Sequence, residues 1–350
     1  MCFLKVTHPP TNAKIPHLYK EQAMPTTLKT LSEKPLNQTA ASLAISQWAS
    51  TEKKPLLIIT ADSLLAAQIE NELDFFLADE ISQGGLKILH FPDWETLLYD
   101  RFSPHQDIIS ERLATLNTLQ KETNTITVVP INTLLHRISP RAHLNQFTFL
   151  MNEGDTININ EFRTKLTECA YHHVSQVMNH GEFAIRGSII DLFPMGSRLP
   201  YRLDLFDANI DSIRTFDPET QRTIEKIKQI RLLPAKECPM TEEGITHFRN
   251  AWRLAFDGNP IDCPMYVDVS EGIATQGIEY YLSLFFEKTE SLLDYLHNDS
   301  QLILIGNLEE KAKQFWATAE HRFQQLSHDR TRPILPPQQC LFDINTLMHA

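Results

Sequence analysis

The chain has 350 residues, 42% of them hydrophobic, enough to bury sizeable cores and to build two or three domains. It carries 44 acidic against 32 basic side chains, a formal charge of −12, which argues against a generic nucleic-acid binder, because such binding rests on clustered Lys and Arg. No run approaches the roughly 18 apolar residues of a membrane-crossing helix, and Pro9, Pro10 and Pro16 interrupt the N-terminus where a secretory signal would be continuous, so a cytoplasmic address is expected.

Residues 1–30 are polar and Pro-rich, and little order is expected there. A helix is expected over 39–48. The apolar run Leu56-Leu57-Ile58-Ile59 is short, β-branched and bounded, which fits a strand buried on both faces. Asp62 or Ser63 can cap a helix over 64–77, where Leu64, Leu65, Ile69, Leu73 and Phe76 recur at helical spacing. A strand over 86–91, a helix over 107–119 and a strand over 125–131 follow. Such alternation predicts βαβ units and a parallel sheet across 31–144.

The pattern changes after Leu144. Residues 145–235 hold one expected helix, over 161–170, and several strands with close turns. Residues 181–194 read as strand with a break at Gly187. Tyr201 to Phe206 alternate in period two, and Asp207-Ala208-Asn209 turns them back into a strand over 210–216. This is a separate α+β domain, largely antiparallel. From Lys236 the α/β pattern returns through residue 350, with a strand over 301–305, a helix over 308–326 and an exposed exit at 333–337. The formal charge is −2 over 1–144, −2 over 145–235 and −8 over 236–350. The middle region is therefore less repulsive to an anionic partner than the last, although it is no basic patch.

The chemistry of an enzyme is missing. A phosphate loop needs glycines for close backbone approach and a lysine to meet the phosphates. No glycine occurs before Gly84, no glycine precedes a lysine, and the segment ahead of the first helix reads Leu36-Asn37-Gln38-Thr39-Ala40-Ala41-Ser42. No nucleotide or other cofactor is expected to bind. The five cysteines lie at least 25 residues apart, which favours reduced thiols over disulfides or a zinc site. His172, His173 and His180 read as polar surface residues rather than metal ligands. Asp93 and Glu95, flanking Trp94, read as a solvated loop rather than an acid–base pair. No Ser or Cys sits in a nucleophile elbow.

Several longer stretches are more specific. Phe91-Pro92-Asp93-Trp94-Glu95-Thr96-Leu97, Tyr99-Asp100 and Phe102-Ser103-Pro104-His105-Gln106-Asp107-Ile108-Ile109-Ser110 closely resemble a signature of bacterial transcription-repair coupling factors (the Mfd family). So do the fourteen residues from Gly181 to Pro194, the run Leu199-Pro200-Tyr201-Arg202-Leu203-Asp204-Leu205-Phe206, and Ile210-Asp211-Ser212-Ile213-Arg214. Gly277-Ile278-Glu279-Tyr280-Tyr281 and Leu335-Pro336-Pro337-Gln338 match as well. The resemblance runs from about residue 36 to 345.

It implies the family's N-terminal part, built like the repair protein UvrB from helicase-like, degenerate α/β domains 1a (31–144) and 1b (236–350) with an inserted domain 2 (145–235). It also implies a lost ATP site, and a short segment over 94–107 where UvrB carries a DNA-gripping hairpin. Domain 2 would dock onto the damage-recognition subunit UvrA. In the full-length family a C-terminal domain masks that surface, while RNA polymerase and DNA engage other domains, two of which use ATP to move on DNA. No Walker A or D-E-x-H motif of that machinery occurs here. The chain thus reads as a non-catalytic recruiting part, with a UvrB-like DNA-binding scaffold lacking ATPase activity as the alternative.

In an extended strand Phe183 and Ile185 share one face and Ala184 and Arg186 the other. Arg186 is the leading candidate to meet an acidic site on UvrA, and the resemblance puts an interface arginine there. Phe183, Arg202 and His172 are further candidates. The family tends to carry Arg at the position of His172, so that contact needs a protonated imidazole. The competing roles are core for Phe183 and, for Arg202, a cross-strand ion pair with Asp211 or the neighbours of Asp204.

Overall fold

The computed structural model describes residues 5–7, 29–30 and 37–348. Most of residues 1–30, for which little order is expected, lies outside the described residues. Among the described residues the strands are β1 (Lys5–Thr7), β2 (Lys29–Thr30), β3 (Leu56–Thr60), β4 (Lys87–His90), β5 (Thr125–Pro130), β6 (Phe149–Asn152), β7 (His172–His173), β8 (Glu182–Arg186), β9 (Ile189–Leu192), β10 (Tyr201–Phe206), β11 (Asn209–Phe216), β12 (Thr223–Ile227), β13 (Gln229–Leu232) and β14 (Gln301–Ile305). The longer described helices are α1 (Gln38–Glu52), α2 (Ser63–Phe76), α3 (Gln106–Leu119), α4 (Ile159–Glu168), α5 (Glu242–Ala255) and α6 (Leu308–Leu326).

The first sheet has the order β2-β1-β14-β3-β5-β4. Its last four strands are parallel, and β1 and β2 extend it antiparallel. Every residue of β3 and β5 is buried, because helices cover both faces. Leu56, Ile58, Ile126 and Val128 pack with Ile45 of α1 and with Ile69 and Leu73 of α2. Leu57, Ile59 and Val129 face the other way, into the cluster holding Leu113 and Leu116 of α3. Two-sided burial is what a continuous apolar run encodes. Asp62 caps α2, its side chain accepting from the Leu65 amide at 3.0 Å.

Residues 236–348 add one strand, β14, to this sheet rather than building their own, with Leu302 opposite Leu57 and Ile303 opposite Ile58. Gly306 ends that strand at φ +94°, where a Cβ would sit 2.8 Å from the Cβ of Ala61. The rest of this stretch is helical around an aromatic cluster in which Phe248 and Trp252 of α5 stack with Tyr266, Tyr281 and Phe285. The segment after β4 is strapped to it. Tyr99, at φ +74°, donates its hydroxyl to the Leu335 carbonyl at 2.8 Å. Arg322 and Arg332 donate to the carbonyls of Leu98 and Tyr99 at 2.8 and 2.9 Å.

The second sheet, β12-β11-β10-β9-β8-β7, is antiparallel except at β7. The hairpin over 201–216 and the break at Gly187 fall where the sequence puts them. Strands β6, β12 and β13 and helix α5 are not legible in the sequence pattern. Gly196, at φ +78°, lets the turn after β9 close on α3: a Cβ there would lie 3.1 Å from the Cβ of Ala114. The fold is thus mixed α/β, a largely parallel sheet joined to an antiparallel one through a shared core. Among the described residues no helix is long and apolar enough to cross a membrane.

Candidate functional site

The antiparallel sheet has two unlike faces, and the register shows how period-two alternation produces them. On one face Ile185, Ile190, Leu203, Ile213 and Ile227 follow each other across β8 to β12. Phe183, fully buried at 0% exposure, lies opposite Leu192 in the neighbouring row. Helix α4 covers this side with Phe162 and Leu166.

On the other face the row reads Ala184, Asp191, Arg202, Arg214, Lys226, with Arg186, Ile189, Asp204 and Ser212 beside it. Arg186, Arg202, Arg214 and Lys226 thus share this side of the sheet with Glu182, Asp191 and Asp204, and Lys226 pairs with Glu153 at 2.7 Å. Among the described residues no helix lies over it. The loop after β7 covers only a corner, where Val174 and Val177 pack with Ala184, Phe193 and Phe216.

Asp191 sits in the middle, 0% exposed. Arg202 grips it with both ends of its fork, Nε to Oδ1 at 2.7 Å and Nη2 to Oδ2 at 2.9 Å. The same guanidinium gives Nη1 to the Gln221 carbonyl at 3.2 Å and lies over the Phe216 ring at 4.7 Å. The hydrogen bond to Asp191 raises the Arg202 pKa above its ordinary value. Arg186 reaches the same carboxylate from the end of β8 through Nη2 and gives Nη1 to the Ser175 carbonyl at 3.3 Å. Its side chain stays 46% exposed, against 17% for Arg202. Arg214 pairs with Asp204 in the next row.

The four candidate residues therefore occupy different situations. Arg186 and Arg202 stand together on the open face. Arg202 pairs with Asp191 of β9, its register partner, and not with Asp211 or a neighbour of Asp204. Phe183 lies on the opposite, covered face, where it has no surface to offer. His172 is exposed in the edge strand β7, away from the arginine pair. Desolvation and then the charge of Lys236 lower its pKa, which works against the protonated imidazole that a charge contact needs. Sequence reasoning passes over Phe206, 72% exposed at the end of β10. Leu203 and Leu205 point into the core, so alternation alone places Phe206 beside Asp204 on the charged face.

At two places around the parallel sheet where a ligand could enter, protein side chains stand instead. Asn37 caps α1, accepting from the Ala40 amide at 2.8 Å. Thr39 and Ser42 in its first turn donate to the Glu72 carboxylate at 2.8 and 2.6 Å. A carboxylate thus faces the helix start that a phosphate would need. Beyond β4 and β5, the crevice that α/β sheets offer to ligands holds Trp94 and His136, 4.4 Å apart between ring centroids. The buried Arg112 guanidinium lies 4.1 Å over Phe91, and burial lowers its pKa to about 10. Asp93 accepts from the Asn132 amide while Glu95 is exposed, so the two carboxylates do not converge. His180 lies between Asp107 and the Ser197 carbonyl, at 2.7 and 2.8 Å. Among the described residues no group of three metal-capable side chains forms.

Residues 149–238, which contain the whole antiparallel sheet, match the family model of the UvrB interaction domain. Over 313 residues, 89% of the chain, it is 40% identical to a transcription-repair-coupling factor of Escherichia coli. The corresponding protein of Haemophilus influenzae is 39% identical over 87% of the chain, and that of Bacillus subtilis 28% over 80%. The chain spans 27%, 26% and 25% of those three proteins. Over most of its length the chain is therefore similar to about a quarter of the transcription-repair coupling factors, and its middle part to the UvrB interaction domain.

Proposed function

We propose that this chain is the UvrA-recruiting part of a transcription-repair coupling factor, linking stalled RNA polymerase to nucleotide excision repair, and that it is non-catalytic by itself. One observation carries the reading. Among the described residues one face of the antiparallel sheet is free of helices, and that face combines an arginine pair with the exposed Phe206. Arginines and aromatics are the residues on which binding energy concentrates. In a chain of formal charge −12, an exposed second guanidinium on the already matched Asp191 marks a surface for an acidic partner. The filled crevices of the parallel sheet, with Glu72 at the start of α1, support a binding rather than a catalytic role.

Titration of purified UvrA with the chain is expected to give saturable binding without nucleotide. Arg186→Ala is expected to cost roughly 2 kcal/mol of it. Absence of binding by the unaltered chain would overturn the proposal. Tight, steeply salt-dependent binding to duplex DNA in its place would instead favour the DNA-scaffold reading.

A further inference from the structure

We propose that Asp191 is a positioning residue for docking: it holds the Arg186 guanidinium ready for a carboxylate of the partner, while Arg202 neutralises it. This rests on the reading of the open face as the UvrA dock.

The inference comes from how one buried carboxylate divides two guanidiniums. Asp191 is wholly buried, and an unpaired charge there would be costly. Arg202 is sufficient to balance it. It grips both carboxylate oxygens, is anchored a third time on the Gln221 carbonyl, and is stacked on Phe216. Those contacts leave Arg202 little freedom and little exposed surface. Arg186 comes as the second cation on an anion already matched. It shares Oδ2 with Arg202 and adds one contact to Ser175. The triad of Arg186, Asp191 and Arg202 thus carries one uncancelled positive charge, and its exposed member is Arg186.

A free arginine on a strand end samples many rotamers, and an interface that immobilises it loses that freedom on binding. Here Asp191 and the Ser175 carbonyl have restricted it beforehand. Guanidinium has five donors in a fixed fork. Two of its nitrogens are engaged by Ser175 and Asp191, and the partly exposed side chain keeps donors left over for an incoming carboxylate group. Lysine in the same place offers a point charge and cannot bridge a buried and an incoming carboxylate in one plane. The partner chemistry that fits is an acidic side chain approaching from above the sheet, and Asp191 never touches it.

The test is a double-substitution cycle read as affinity for purified UvrA. Asp191→Asn is expected to weaken binding about tenfold in the otherwise unaltered chain, but less than about twofold in a chain that already carries Arg186→Ala. A role only in holding the sheet together would weaken both backgrounds by the same factor, and that result overturns the proposal. So does unchanged binding by Asp191→Asn. Arg186→Lys, which leaves Asp191 untouched, covers the case in which Asp191→Asn fails to fold. It is expected to lose nearly as much affinity as Arg186→Ala, and binding equal to the unaltered chain would contradict the positioning role. If Arg186→Ala itself binds as the unaltered chain does, the docking reading falls with it, and that outcome is visible separately in the same titrations.

Discussion

The parallel and antiparallel sheets solve opposite problems with the same strand geometry. The parallel sheet is closed on both faces, its crevices filled by Trp94, His136 and Arg112 and its first helix start faced by Glu72. The antiparallel sheet is closed on one face only. Its other face keeps ionised side chains in register and ordered among themselves, with Arg186 and Phe206 exposed beside the buried Asp191. On the proposed reading the parallel sheet serves as support and the uncovered face of the antiparallel sheet does the binding.

The comparison breaks most easily at the covered face of the antiparallel sheet. Phe183→Ala removes a fully buried ring, and the cost is expected to be about 3–5 kcal/mol of stability, seen as a fall in the denaturant midpoint. UvrA binding should be lost only as far as the fold is lost, which separates Phe183 from a contact residue.

Acid acts on the other side of the comparison. Burial and then the charge of Arg112 push the His136 pKa down to about 3, and burial pushes that of His143 down to about 4. Both lie below the ordinary value of about 6.5. In the window between, the unfolded chain takes up protons that the folded chain refuses, so stability falls as pH drops from about 6.5 toward 4. The loss is expected to reach a few kcal/mol, and His136→Gln should flatten the profile of stability against pH.

Effects confined to the open face are smaller and leave the fold alone. Arg186→Ala is expected to cost roughly 2 kcal/mol of UvrA binding, with a thermal midpoint close to that of the unaltered chain because Arg202 still holds Asp191. Phe206→Ala, at a side chain already in solvent, is expected to cost about 1 kcal/mol of binding and no measurable stability. Magnesium and ATP are expected to leave the thermal midpoint unmoved; a rise would show a nucleotide bound to the folded chain.

Much of this organisation is legible in the residues. The apolar run at 56–59, the cap at Asp62 and the alternation over 201–206 report local physics, and each element stands where that physics puts it. The same period-two alternation is enough to put Phe183 and Arg186 on opposite faces of β8. What the sequence hides is long-range. Nothing near residue 301 shows that β14 lies between β1 and β3, because Gln301 pairs with Leu56 and Leu304 with Lys5, far away in the chain. Nor does spacing show that Arg186 and Arg202 share Asp191, since the choice among nearby aspartates depends on strand register. The strand β12 escapes detection because every residue but one is exposed and polar chains dominate it. Phe206 passes as one more apolar strand residue until its neighbours Leu203 and Leu205 are seen to fill the core.

The most direct test of the account is a hydroxyl-radical footprint of the chain alone and in complex with UvrA. The open-face account predicts that labelling of Phe206 and Ile224, 72% and 55% exposed on the antiparallel sheet, falls several-fold in the complex. Leu254 on α5 and Ile261 just beyond it, 90% and 72% exposed, should label as before. Protection of Leu254 and Ile261 with Phe206 left reactive would contradict the account and place the docking surface elsewhere on the molecule.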